Sequence, residues 1–120
     1  MHYKNLTSKI DHTGLSQSLG WQEVKLLCDE GIEFGVASVC LPPSYVKEAK
    51  SYVNNSLKIC TVIGFPNGYN TTKTKMAEAK EMLELGADEL DMVINIGWLK
   101  QKKYEDVLNE IKLIKNIAQD

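Results

Sequence analysis

The chain has 120 residues, 43% of them apolar and 25% charged, with a net charge of −2. That length fits one domain on a prior of roughly 150 residues each. The composition excludes a disordered chain, and the absence of any run near the roughly 18 apolar residues of a membrane span gives no membrane partner.

Met1 to Ile10 carries Lys4 and Lys9 and no apolar h-region, so the expected location is the cytoplasm. Ser8 to Thr13 (SKIDHT) reads as a first strand. Gln17 to Ile32 reads as a helix, with Trp21, Val24, Leu27, Cys28 and Ile32 at helical spacing. Gly35 breaks it, and Val36 to Leu41 (VASVCL) reads as a buried strand. Pro42 and Pro43 stop that strand and can open the next helix, Tyr45 to Val53. Asn54 to Ser56 make a turn. Lys58 to Phe65 (KICTVIGF) is a β-branched third strand, followed by a Pro66-Asn67-Gly68 loop. Thr71 or Thr72 caps a third helix running to about Leu85, with Met76, Ala79 and Leu83 facing inward and Gly86 as its stop. Glu89 to Ile96 (ELDMVINI) is the fourth strand. Tyr104, Val107, Leu108, Ile111, Ile114 and Ala118 give a last helix an apolar stripe.

The order is βαβαβαβα, and strands separated by helices run parallel. A helix stop followed by a buried strand recurs at Gly35 and Gly86, 51 residues apart. Two units in that span give the pitch of a βα-barrel, whose eight units need roughly 200 residues or more. Four units leave one sheet face and two strand edges uncovered. Each large side chain exposed there forfeits about 1.5–3 kcal/mol. A flavodoxin-like sheet with helices on both faces, pairing with a second copy through the strand edges, or membership of a longer protein would each remove that cost.

All 14 basic residues are lysine. The chain therefore has no guanidinium fork for phosphate or guanine, and no nucleic-acid partner is expected. Three cysteines without a C-x-x-C pair argue against a disulfide framework and a zinc site, and no metal is expected.

Four polar or reactive residues lie within strands or at their C-terminal ends, where parallel α/β arrays bind ligands: Asp11, Cys40, Asp91 and Asn95. Asp91 sits between Leu90 and Met92, where a carboxylate is costly unless paired. Asp11 and His12 are adjacent, so they face opposite sides of a strand and form no dyad. Asp88 and Glu89 precede the apolar run and read as solvated. Cys28 and Cys60 read as small buried hydrophobes. The Gly64 to Gly68 loop could turn backbone amides toward an anion, although it lacks the Walker spacing. Lys100, Lys102 and Lys103 read as a solvated helix start.

Ile10-Asp11-His12-Thr13, Ala37-Ser38-Val39-Cys40, the run from Cys60 to Gly68 (CTVIGFPNG) and the run from Gly86 to Gly97 (GADELDMVINIG) occur in that order. Together they resemble the amino-terminal half of a deoxyribose-phosphate aldolase, over nearly the whole chain. The resemblance implies the first four βα units of a (β/α)8 TIM barrel, one domain over residues 1–120. It also implies a class I aldolase with no metal or other cofactor, in which a lysine forms a Schiff base with acetaldehyde. The substrate so implied is a small phosphosugar, 2-deoxyribose 5-phosphate, cleaved to acetaldehyde and glyceraldehyde 3-phosphate. Asp91 matches the family's proton-relay aspartate, and Cys40 and Asp11 match substrate-site positions. The family's Schiff-base lysine, its partner lysine and the phosphate loops belong to later strands, and no lysine of this chain matches them. The chain alone is thus expected to be inactive. The alternative is a non-catalytic half-barrel that self-associates as a structural or ligand-binding module.

Overall fold

The computed structural model describes residues 3–119. Met1, His2 and Asp120 lie outside the described residues, and with them the extreme ends of the expected leaderless start and of the single domain. The elements are α1 (Tyr3–Thr7), β1 (Asp11–Thr13), α2 (Trp21–Phe34), β2 (Ser38–Leu41), α3 (Val46–Val53), β3 (Ile59–Ile63), α4 (Thr72–Glu84), β4 (Glu89–Met92), α5 (Ile96–Lys100) and α6 (Tyr104–Ala118). A single 3-10 turn, Pro43–Tyr45, leads into α3.

The four strands form one parallel sheet in the order β1-β2-β3-β4. Neighbouring parallel strands joined in sequence by crossovers of one hand put every crossover helix on the same face. The flavodoxin-like alternative, which needs helices on both faces, is excluded by this order. The helix-side core joins Val39, Leu41, Ile59 and Ile63 of the sheet to Val24 and Cys28 of α2, Val46, Ala49 and Val53 of α3, Ala79 and Met82 of α4, and Ile114 of α6.

Both glycine stops work by the same device. Gly35, at φ 64°, lets the Val36 amide donate to the Gly31 carbonyl at 3.1 Å, and Gly86, at φ 105°, lets Ala87 donate to Met82 at 2.9 Å. This six-to-one closure satisfies carbonyls that the last turn would otherwise orphan, and β2 and β4 follow within three residues of it.

The opposite face differs from the sequence expectation. Period-two alternation sends the large side chains of the apolar strands toward the helices. The inner face receives Asp11 and Thr13 of β1, Ser38 and Cys40 of β2, Cys60 and Val62 of β3, and Glu89 and Asp91 of β4. These are small or polar, so leaving them without a covering layer costs little of the apolar penalty expected. Cys40, Cys60 and Val62 are nonetheless buried, beneath one another and Leu15.

Several boundaries also moved. Residues 17–20 are not helical: Leu19 donates to the Ser16 carbonyl in a turn, and Gly20 begins α2 by donating to Glu23 Oε2 at 2.7 Å. β4 ends at Met92 rather than Ile96, because Asn95 Oδ1 accepts from the Trp98 amide at 3.1 Å and starts α5. Lys100 therefore ends a helix, and Lys103 precedes the next. On α6 the buried positions are Val107, Glu110 and Ile114, while Tyr104, Leu108 and Ile111 are exposed.

Candidate functional site

The inner face and the loops after the strands place the sequence candidates in three settings. Cys40 is central. It is the register partner of Thr13 on β1 and of Cys60 on β3. The neighbouring Cys60 thiol holds the Cys40 thiol below the usual range, against opposing pushes from burial and from Asp91, Asp11 and Glu89. The Cys40 thiol beside it, with burial, pushes the Cys60 thiol up, and Cys60 Sγ donates to the Thr61 carbonyl. All three inner-face carboxylates thus lie within electrostatic reach of one sulfur. Cys60 is buried in the apolar cluster, as its reading as a small hydrophobe expected.

Asp11 accepts from Ser38 Oγ at 2.7 Å across the β1–β2 pair. Charge-assisted acceptance of this kind fixes the carboxylate's rotamer. Asp91 is exposed on the inner face opposite Val62, one position before the end of β4. It is not sunk in the apolar interior suggested by Leu90 and Met92, whose side chains turn to the helix side. Asn95 lies beyond the sheet, with its Oδ1 engaged as the α5 cap. The fold therefore gathers Asp11, Cys40 and Asp91 on one face and holds Asn95 at its rim.

His12 points away from Asp11, as the alternation requires, and its Nε2 lies 3.7 Å from Glu30 Oε2 on α2. Asp88 is not simply solvated: it accepts from the Ile59 amide at 2.9 Å and pairs with Lys50 Nζ at 3.0 Å, stitching β4 to β3 and α3. Thr61 Oγ1 donates to the Leu41 carbonyl on the helix side.

The glycine loop does not present the two amides an anion would use. The Gly64 amide donates to Glu78 Oε1 at 2.8 Å, and the Gly68 amide to the Gly64 carbonyl at 2.7 Å. The Phe65–Pro66 bond is cis. Gly68, at φ 74°, passes so close to the next loop that an added Cβ would lie 2.1 Å from the Ile94 carbonyl oxygen. The loops after β3 and β4 are therefore wedged together.

Sequence reasoning missed what holds this wedge from behind. Lys75 of α4 is fully buried. Its Nζ donates to Glu110 Oε1 at 2.6 Å and to the Val93 carbonyl at 2.9 Å, and Thr72 Oγ1 donates to Glu110 Oε2 at 2.6 Å. The side chain also fills the space beside Gly64, where a Cβ would come within 2.8 Å of Lys75 Cε. One buried cation thereby ties α4, α6 and the segment leading from Asp91 to Asn95. A visible signal existed: Glu110 falls between Val107 and Ile114 on one helical face, where a carboxylate needs a partner.

None of the chain's lysines lies on the inner sheet face. Beside β4, Leu90, Met92, Ile94, Ile111 and Ile114 line an open apolar groove of about 660 Å³. Among the described residues no helix is long and apolar enough to cross a membrane.

Comparison with known proteins gives one answer. The chain is 52% identical over 117 residues to the deoxyribose-phosphate aldolase of Clostridioides difficile (strain 630), covering 98% of this chain and 53% of that protein. Among solved structures it superposes on the aldolase QR15 with a TM-score of 0.90 at 36% identity, covering 96% of this chain and 52% of the other. It also superposes on the tetrameric deoxyribose phosphate aldolase from Aeropyrum pernix, with a TM-score of 0.82 at 33% identity over 96% of this chain and 50% of that one. The chain spans about half the length of the curated relatives it matches. With four parallel βα units arranged as half a TIM barrel, and residues 6–120 matched by the family description, the chain belongs to the DeoC/LacD aldolase family.

Proposed function

We propose that this chain supplies the acidic half of a class I deoxyribose-phosphate aldolase site, acting on a phosphosugar in the cytoplasm. The observation that carries the reading is the convergence of Asp11, Cys40 and Asp91 on the sheet face opposite the helix-side core. Asp91 serves as proton relay: it is a carboxylate next to the strand's C-terminal end, exposed to whatever occupies the barrel interior. Asp11, held by Ser38, and Cys40 contact substrate, and Asn95 contributes from the rim.

Carbon–carbon cleavage through an iminium needs an amine nucleophile with a lowered pKa, set by desolvation or a second cation. The inner face offers no amine, and the buried Lys75 is held between Glu110 and the Val93 carbonyl. The 120-residue chain therefore holds no amine activated to trap an aldehyde selectively. Incubation with acetaldehyde and borohydride, followed by peptide mapping, is expected to ethylate the exposed lysines slowly and without preference among them. One lysine trapped at acetaldehyde concentrations that leave the others unmodified would overturn the assignment of the nucleophile to residues outside this sequence.

A second reading rests on a separate observation. Among the described residues the outer edges of β1 and β4 are unpaired, and the apolar groove runs along β4. Both features suit self-association, and the half-barrel then acts as a non-catalytic structural or ligand-binding module.

A further inference from the structure

Cys40 and Cys60 are register partners on adjacent parallel strands. Paired positions project from the same face of a sheet, and both side chains enter the small cluster with Val62 under Leu15. Neighbouring strands lie about 4.8 Å apart, inside the roughly 4.4–6.8 Å that a disulfide bridges between Cα atoms. The third thiol, Cys28, sits on α2 in the core on the other side of the sheet.

We propose that Cys40 and Cys60 form a redox couple, closed by a hydroperoxide into a cross-strand disulfide and reopened by a thiol reductant. The Cys40 thiolate attacks the distal peroxide oxygen. The O–O bond breaks, the alcohol or water leaves, and Cys40 becomes a sulfenic acid. Cys60 then gives up its proton, its sulfur attacks the Cys40 sulfur, and water departs as the S–S bond forms. The two thiols lose two electrons and the peroxide gains them.

The asymmetry of the pair suits this order. Cys40, lowered by its Cys60 neighbour, is the attacking sulfur of the pair, since the thiolate is the nucleophile. Cys60, pushed up by the same contact, keeps its proton until a sulfenic acid is in reach, and so acts as the resolving thiol. Cys28 is pushed up to about 11 by burial and by Asp29, and it has neither a thiolate nor a neighbour. The couple operates whether or not the aldolase assignment holds. In a site that uses Cys40, closing it removes that sulfur from the substrate's surroundings and clamps β2 to β3.

The test treats the full chain with hydrogen peroxide, blocks free thiols by alkylation, and maps the digest after cleavage at both lysine and glutamate, which separates Cys28 from Cys40. The expected product is one peptide pair joined through Cys40 and Cys60, lighter by two hydrogens, restored by dithiothreitol, with Cys28 alkylated. In Cys60→Ser the oxidation of Cys40 runs on to the sulfinic acid, and in Cys40→Ser Cys60 stays reduced. In urea the pairing preference disappears, because the register that creates it is gone. Overoxidation of Cys40 without a cross-link in the native chain, pairing that includes Cys28, or two thiols that remain fully alkylatable would each overturn the proposal.

Discussion

Lys75 and Glu110 bury two full charges at 2.6 Å, with both side chains essentially inaccessible. Burial of such a pair is tolerated only when the remaining donors and acceptors are filled, and here Thr72 and the Val93 carbonyl fill them. Removing one partner leaves an uncompensated charge. Lys75→Met is expected to cost about 3–5 kcal/mol, whereas Lys75→Met combined with Glu110→Leu costs far less than the two single changes summed. Urea unfolding of the four-member cycle measures this, and a single variant with an unmoved midpoint would refute it. Lys75 was hard to read from sequence because a lysine one turn into a helix is ordinarily solvated. The neighbouring Met76 lies on the flank of the face that Lys75, Ala79 and Met82 actually bury. By contrast Asp11, Cys40 and Asp91 were legible as candidates, since strand position alone sends a residue to the ligand-binding end of a parallel sheet.

Among the elements, the loop after β3 shows how close approach differs from mere conformational demand. Gly35 and Gly68 both have positive φ, yet an added Cβ at Gly35 meets nothing within 4 Å. At Gly68 the same atom collides with the backbone of the loop after β4. Gly35→Ala should cost about 1–2 kcal/mol for the left-handed conformation alone. Gly68→Ala should cost distinctly more and should raise amide exchange at Val93, which donates to the Ile63 carbonyl at 2.9 Å. Thermal melts with hydrogen exchange compare the two, and a milder effect at Gly68 would contradict the wedge.

The four strands and four longer helices followed from hydrophobic period and glycine stops, which are strong local signals. The short helices α1 and α5 did not. Each has five residues and buries none of them, so periodicity has nothing to act on. The α5 boundary is set by the Asn95 cap and by Lys102 at φ 61°. Asn95 read as a ligand-end residue because its capping oxygen is invisible until the backbone turns.

For the molecule as a whole, the sheet is covered on one side and, among the described residues, unpaired at both edges. The exposed Leu108 and Ile111 of α6, at 44% and 42%, show where its predicted apolar stripe went: Ile111 borders the groove beside β4. An apolar surface of this kind, next to free strand hydrogen-bonding groups, favours association. Light scattering at low micromolar concentration is expected to show species larger than the 13.5 kDa monomer. A stable, monodisperse monomer would rule the self-association reading out. Two copies closed edge to edge would face Asp11, Glu89 and Asp91 with their own duplicates, and like charges in one interior oppose closure. The charge pattern of the inner face thus favours a cationic complement, while the apolar groove accepts either.

The polar knot behind the site has a consequence for synthesis. Thr72, Lys75, Val93 and Glu110 all precede Ala118. A polypeptide emerging from the ribosome can therefore satisfy every member of that knot as soon as α6 clears the exit tunnel. The aspartate-bearing segment is then fixed by contacts that lie wholly within residues 72–110.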